Sequence, residues 1–273
     1  MNLIILGNGF DQSYKIDTSP KSFFEYLKAI DSDCYDRINI LYDNKGESWN
    51  DFESHISDIS VDKIRILNSM GITPKNIYEN FKRAFVNWLN DVVLVESKAK
   101  LEGKSLYSFM NTNDKFINFN YINSLISLKV TENNIFHIHG EVSEYIKAMK
   151  IFGLYNDYDS IILGCSKKEK CNDKLLDEFY GIFEKKVNKI IEMNINKIKF
   201  FCKDIKKIII FGFSCSKVDM PYIQEIVEYA NVDVDIYCYD NVTYENATIY
   251  KNIIKTNKEI KLIPGAKCTI EKE

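Results

Sequence analysis

Two of the chain's three histidines stand one residue apart in Phe136-His137-Ile138-His139-Gly140, at the end of an apolar run. Histidine is the side chain best placed to move protons near neutral pH. Two residues apart on a strand, His137 and His139 share one face. They could pair on a metal, but His55 is the only other histidine and no carboxylate cluster completes a site. No metal is expected on these grounds. His139, at the strand end just before Gly140, suits a ligand edge better than a core. Upstream, Phe116-Ile117-Asn118-Phe119-Asn120-Tyr121 is an apolar strand interrupted by two asparagines. A buried asparagine is costly unless its amide is satisfied, so Asn118 or Asn120 should meet a ligand or a structural partner.

Two glycine turns complete the set. Leu3-Ile4-Ile5-Leu6 runs into Gly7-Asn8-Gly9-Phe10-Asp11. Glycines there permit positive φ and close backbone approach, and exposed amides can cradle phosphate oxygens. A dinucleotide fingerprint would want a third glycine at position 12, where this chain has Gln12. An ordinary tight turn remains open. Asp11 either caps the following segment or binds a ribose hydroxyl. Late in the chain Ile208-Ile209-Ile210-Phe211 leads into Gly212-Phe213-Ser214, with Asp219 capping a helix at Pro221. Ser214 can donate to a phosphate or satisfy its turn. Asp240 ends the next strand, where a carboxylate can accept from ribose hydroxyls or serve the turn.

These groups need strands to hold them. Residues 2–6 lack alternation, which suits a strand covered on both faces. Residues 20–31 read as a helix capped by Thr18 or Ser19, with Pro20 in its first turn. From about 34 to 105 the pattern stays helical, with Ile77, Phe81, Phe85, Trp88, Leu89 and Val92 on one stripe. Strands are expected at 115–119, 134–139, 160–163, 207–212, 233–239 and 260–263. An amphipathic helix spans roughly 173–202, and its length also suits contact between copies of the chain. Helices from Asp219 and near 243–255 separate the last strands. The expectation is a single α/β domain over 1–273: a Rossmann-like parallel sheet with a helical insertion at about 20–110.

A chain of 273 residues with a net charge of -3 has no long-range attraction for nucleic acid or anionic lipid. Lys167-Lys168 and Lys185-Lys186 read as solvated helix faces. No stretch suits a signal peptide or membrane span, so a cytoplasmic protein is expected. Seven cysteines without a C-x-x-C pair read as reduced core thiols.

In order and spacing these segments resemble the bacteriophage abortive-infection AbiH family. The resemblance rests on Ile4-Ile5-Leu6-Gly7-Asn8-Gly9-Phe10-Asp11, Asp17-Thr18-Ser19 with Phe23-Phe24-Glu25-Tyr26-Leu27, and Trp49-Asn50-Asp51-Phe52-Glu53. Phe119-Asn120-Tyr121, His137-Ile138-His139-Gly140 and Phe211-Gly212-Phe213-Ser214 with Asp219 complete it. The family in turn looks like a distant relative of sirtuin-type NAD-binding proteins. That likeness implies a sirtuin-like sheet, with Asn120 and His139 on the catalytic positions. It puts Gly7, Gly9, Gly212 and Ser214 on nucleotide-contacting turns. Phe10-Asp11 replaces the usual small residues, Ile122 stands where an acidic residue is expected, and the zinc-binding cysteines of protein-deacylating sirtuins are absent. The resemblance thus implies cleavage of NAD as substrate rather than peptide deacylation.

The expected function is antiphage defence by hydrolysis of the N-glycosidic bond of NAD, releasing nicotinamide. Gly7, Asn8, Gly9, Asp11, Gly212, Ser214 and Asp240 would contact the nucleotide, and a phage-derived trigger is a candidate partner. Two alternatives stand beside it: a non-catalytic nucleotide-binding sensor that signals by changing assembly state, and a metal-dependent nuclease using His137 and His139. The acidic charge balance counts against the nuclease.

Overall fold

In a computed structural model, residues 1–42, 49–152, 161–166 and 173–264 are described. The chain divides into two compact units: Met1–Ile16, Leu94–Ile161 and Lys186–Glu273 form one, and Asp17–Val93 with Ile162–Lys185 the other.

The first unit is built on six parallel strands: β1 (Leu3–Leu6), β2 (Lys115–Asn118), β3 (Ile135–His137), β4 (Ile208–Phe211), β5 (Val234–Cys238) and β6 (Ile260–Pro264). Their order is β3-β2-β1-β4-β5-β6, a Rossmann-like arrangement in which the chain works outward from β1 and then restarts on its other side. β1 is wholly buried and pairs in register with both neighbours, Leu6 opposite Asn118 and Phe211. A strand without alternation has no face to give to solvent, and Leu-Ile-Ile-Leu has none.

Around the sheet lie α1 (Asn8–Ser13), α7 (Leu94–Leu101), α8 (Ser124–Ser127), α9 (Val142–Phe152), α11 (Val187–Cys202), α12 (Met220–Ala230) and α13 (Asn241–Ile253). Ile191, Ile198 and Phe201 of α11 and Tyr222, Ile223 and Ile226 of α12 pack with Ile5, Ile117, Ile210 and Ile236 in one core. The Lys115 ammonium at the start of β2 donates to the carbonyls of Phe200 (2.8 Å) and Lys203 (2.7 Å), so a cation closes the C-terminal end of α11.

The second unit is helical: α2 (Pro20–Ile30), α3 (Ser32–Tyr42), α4 (Trp49–Ser57), α5 (Val61–Ser69), α6 (Pro74–Trp88), a π-turn at Leu89–Val93, and α10 (Lys174–Phe183). The Ser19 hydroxyl caps α2 by accepting from Ser22 N. Its core is aromatic, with Phe23 against Phe81, Phe85, Trp88 and Trp49, and Phe52 stacked on Phe81.

Four sequence expectations are corrected. The stripe read through Val92 passes to Val93: the π-turn inserts an extra residue, so Val92 is 37% exposed and Val93 is buried. The strand expected at 160–163 does not form over its described residues, 161–163, and Gly164 beyond them has φ +150. Only Cys165 pairs there, bridging to Glu184. That bridge splits the helix read over 173–202 into α10 and α11, because Glu184 becomes extended (φ -71, ψ 125). Lys185 is then no solvated helix residue: it is 6% exposed, outside both helices, with Nζ 4.0 Å from Glu53. Lys167-Lys168 lies outside the described residues.

Among the described residues, Cys34, Cys165, Cys202, Cys215 and Cys238 are free, buried thiols, and no helix is long and apolar enough to cross a membrane.

Candidate functional site

Gly7, Asn118, Asn120, His137, His139, Gly212 and Asp240 lie at or just beyond strand ends, because parallel strands present all their C-terminal ends at one edge. The two glycine turns meet there, at the boundary between β1 and β4 where the strand order reverses. Gly7 N donates to Phe211 O (3.1 Å) and Gly9 N to Gly212 O (2.8 Å). A Cβ on Gly7 would lie 2.6 Å from Gly212 O, and one on Gly9 2.9 Å from Gly212 Cα. Gly212 has φ +63, and its Cβ would fall 2.2 Å from Phe10 N. Close approach of backbone to backbone therefore explains these glycines. It also redirects the phosphate-cradle expectation: the amides of Gly7, Gly9 and Phe10 already donate within the protein. Asn8 is partly buried in the first turn of α1.

The asparagines at the end of β2 lead to this junction, and Asn120 bonds to it. Asn118, fully buried, accepts from Asn120 N through Oδ1 (3.0 Å) and reaches Ile122 O with Nδ2 at 3.5 Å. Its side chain thus shapes the turn that carries Asn120. The Asn120 amide, 5% exposed, donates to Gly7 O at 3.0 Å, tying the end of β2 to the turn after β1.

The two histidines have separate partners. His137 Nδ1 lies 2.8 Å from Asn120 O. A carbonyl only accepts, so Nδ1 carries the proton and Nε2 presents a lone pair. Nε2 is buried without a hydrogen-bond partner, and burial lowers the pKa of this ring, so it is held neutral. His139, 2% exposed, is edge-on to Phe119 (centroids 5.0 Å) and against Tyr222 (5.4 Å). Its Nε2 stands 3.7 Å from Asp219 Oδ1. That separation is too long for a hydrogen bond but within ion-pair reach once the ring is charged.

Asp219 corrects a further expectation. It occupies the N-cap position of α12 but makes no side-chain cap bond. Instead one oxygen faces His139 and the other lies 3.5 Å from Ser216 Oγ. Its place just ahead of Met220-Pro221 signalled a cap, and nothing local announced the imidazole across the fold.

Asp11 neither caps nor sits in the open. It lies inside α1, where Oδ1 accepts from Ser124 Oγ at 2.6 Å and Oδ2 is buried without a partner. Burial raises its carboxyl to about 7, with the Ser124 bond lowering it in part. Ser124 was missed by sequence reading; it opens the short helix α8 after Asn123, and its partner is 113 residues away. Asn123 Oδ1 is also enclosed and unpartnered.

Beyond β4 and β5 the edge is open. Ser214 is exposed, and its carbonyl accepts from Asn246 Nδ2 (3.2 Å). Asp240, exposed, caps α13 by accepting from Thr243 N at 2.7 Å, the turn role held open above. His55 is on α4 in the other unit, and no group of three or more His, Cys, Asp or Glu able to hold a metal occurs among the described residues.

The profile of the bacteriophage abortive infection AbiH family matches residues 3–73 and 66–240. No curated protein and no solved structure matches the chain. The family match spans the glycine turns, Asn120, His139, Ser214 and Asp219, and on it the chain belongs to the bacteriophage abortive infection AbiH family.

Proposed function

We propose that this chain is an abortive-infection effector that binds NAD at the C-terminal edge of its sheet and hydrolyses the N-glycosidic bond. The observation that carries the reading is the meeting of Asn120 with the two glycine turns at the strand-order reversal, the ligand position of open α/β sheets, with His139 beyond the end of β3 packed on Phe119 of the same edge. Polar atoms that a ligand would satisfy line the ends of β1 to β3: Asp11 Oδ2, Asn123 Oδ1 and His137 Nε2 are enclosed without partners. The distant likeness to sirtuin-type proteins supplies the substrate class.

The reaction breaks the bond between ribose C1′ and the nicotinamide nitrogen. The bonding pair leaves with nicotinamide, which departs neutral, and the ribose passes through an oxocarbenium-like state. Water adds to C1′ and gives its proton to His139. General-base help of this kind is worth on the order of a hundredfold to ten-thousandfold. Asn120 exchanges its bond to Gly7 for the water or a ribose hydroxyl. Ser214 and Asp240, exposed beyond β4 and β5, take the phosphate and ribose of the adenylate half.

Asn120 and His139 are enclosed at rest, so substrate reaches them only when the turns move apart. A resting effector of this kind is held off until a phage-derived trigger opens it. The same enclosure favours the second reading, a sensor that binds nucleotide and turns nothing over.

The test is nicotinamide release from NAD by purified protein, alone and with lysate of phage-infected cells. Triggered wild type should exceed Asn120→Ala and His139→Ala by at least about a hundredfold. Equal rates among the three remove the enzyme reading, and tight NAD binding by calorimetry without turnover selects the sensor.

A further inference from the structure

We propose that Asp219 is a positioning residue for His139, orienting the imidazole and stabilising the imidazolium formed when the ring takes a proton. The inference rests on the reading of His139 as the proton acceptor and adds a partner to it. Three observations point the same way. First, Asp219 holds a position where aspartate ordinarily caps a helix, yet it makes no cap bond. An aspartate there ordinarily satisfies the first amides of the helix, whereas this carboxylate is turned away from them. Second, Oδ1 is directed at the buried imidazole, 3.7 Å from Nε2, with the two side chains 13% and 3% exposed. At that depth a charge interaction is weakly screened. Third, Ser216 Oγ lies 3.5 Å from the other carboxylate oxygen, steadying it from the same turn that carries Ser214.

Among the described residues, Asp219 supplies a carboxylate directed at His139. The ionisable side chains with rings packed on His139 are Tyr121, after β2, and Tyr222, on α12. Both are neutral near pH 7. His137 is turned to Asn120 O, and the Glu141 carboxylate accepts from Ser143 N and Glu144 N at the start of α9. The arrangement follows the logic of an acid that holds a catalytic imidazole in the right tautomer and balances its charge without itself taking the proton.

Three histidines make the test tractable, because each ring can be assigned in an NMR titration from single substitutions. In Asp219→Asn the titration midpoint of His139 should fall by about one pH unit, roughly a tenfold loss of proton affinity, while those of His55 and His137 stay in place. The acid limb of triggered nicotinamide release should shift by the same amount. Asp219→Ser, which keeps a good capping residue, should give the same fall and secures the result if the asparagine variant does not fold. A His139 midpoint unchanged in both variants overturns the pairing. If wild type releases no nicotinamide and the midpoint still falls, the pairing stands and the NAD reading fails.

Discussion

The ends of β2 and β3 and the end of β5 lie along one edge of one sheet, yet they treat polar side chains in opposite ways. After β2 and β3, Asn118, Asn120 and His139 are buried and each is matched to a group across the fold or turn. After β5, Tyr239 and Asp240 are exposed, and the aspartate caps α13 from the surface. The difference teaches where this molecule accepts a cost. Enclosing an amide or imidazole is unfavourable unless each polar atom is answered, so the bonds of Asn118 and Asn120 across the turn and to Gly7 offset that cost. An exposed cap such as Asp240 incurs no such cost.

The junction of the two glycine turns, between β1 and β4, should be the most sensitive place. Gly212→Ala puts a methyl group 2.2 Å from Phe10 N at φ +63. Loss of more than about 4 kcal/mol, or of folded protein altogether, is expected in denaturant unfolding. A soluble variant with wild-type stability would mean the two turns do not meet.

Next in size is Asp11. Its folded carboxyl is raised to about 7 from 3.8, so between those values the native state binds more protons than the unfolded chain. Wild-type stability should therefore fall as pH rises from about 4 to 7, by of order 2–4 kcal/mol. Asp11→Asn should flatten that slope and be the more stable protein at pH 8, as read from melts at pH 5 and pH 8. A slope unchanged by the substitution would mean that Asp11 ionises freely.

Asn118→Ala strips the partner from Asn120 N and from Ile122 O. It should cost about 1–3 kcal/mol for each buried group left unpaired. On the open side the effects shrink. Asp240→Ala should cost about 1 kcal/mol, the worth of a cap, and Ser214→Ala should stay within about 0.5 kcal/mol, as for an exposed residue. Equal losses at Asn118 and Ser214 would erase the distinction drawn between the enclosed ends of β2 and β3 and the open edge beyond β4 and β5.

Much of this was legible in the sequence, for reasons that separate local from distant physics. Leu3–Leu6 and Ile208–Phe211 announce buried strands by lacking alternation, and glycines directly after them announce turns. Asn120 and His139 stand out because polar residues at the ends of apolar runs need an explanation. What was missed depends on residues far apart in the chain. Ser124 meets Asp11 across 113 positions, and Asp219 looks like a cap until His139 arrives from another element. The helix over 173–202 has an unbroken apolar stripe, and only the pairing of Glu184 with Cys165 interrupts it. The π-turn at Leu89–Val93 moves the stripe by one residue in a way that periodicity cannot register.

The most direct test of the account is a crystal of the protein, activated or trapped with NAD or ADP-ribose. The account predicts ribose density within hydrogen-bond reach of the Asn120 amide and the His139 imidazole, with the Asn120 bond to Gly7 O broken and the adenylate half toward Ser214 and Asp240. Nucleotide seated elsewhere, with Asn120 still bonded to Gly7 and His139 still enclosed, would contradict it.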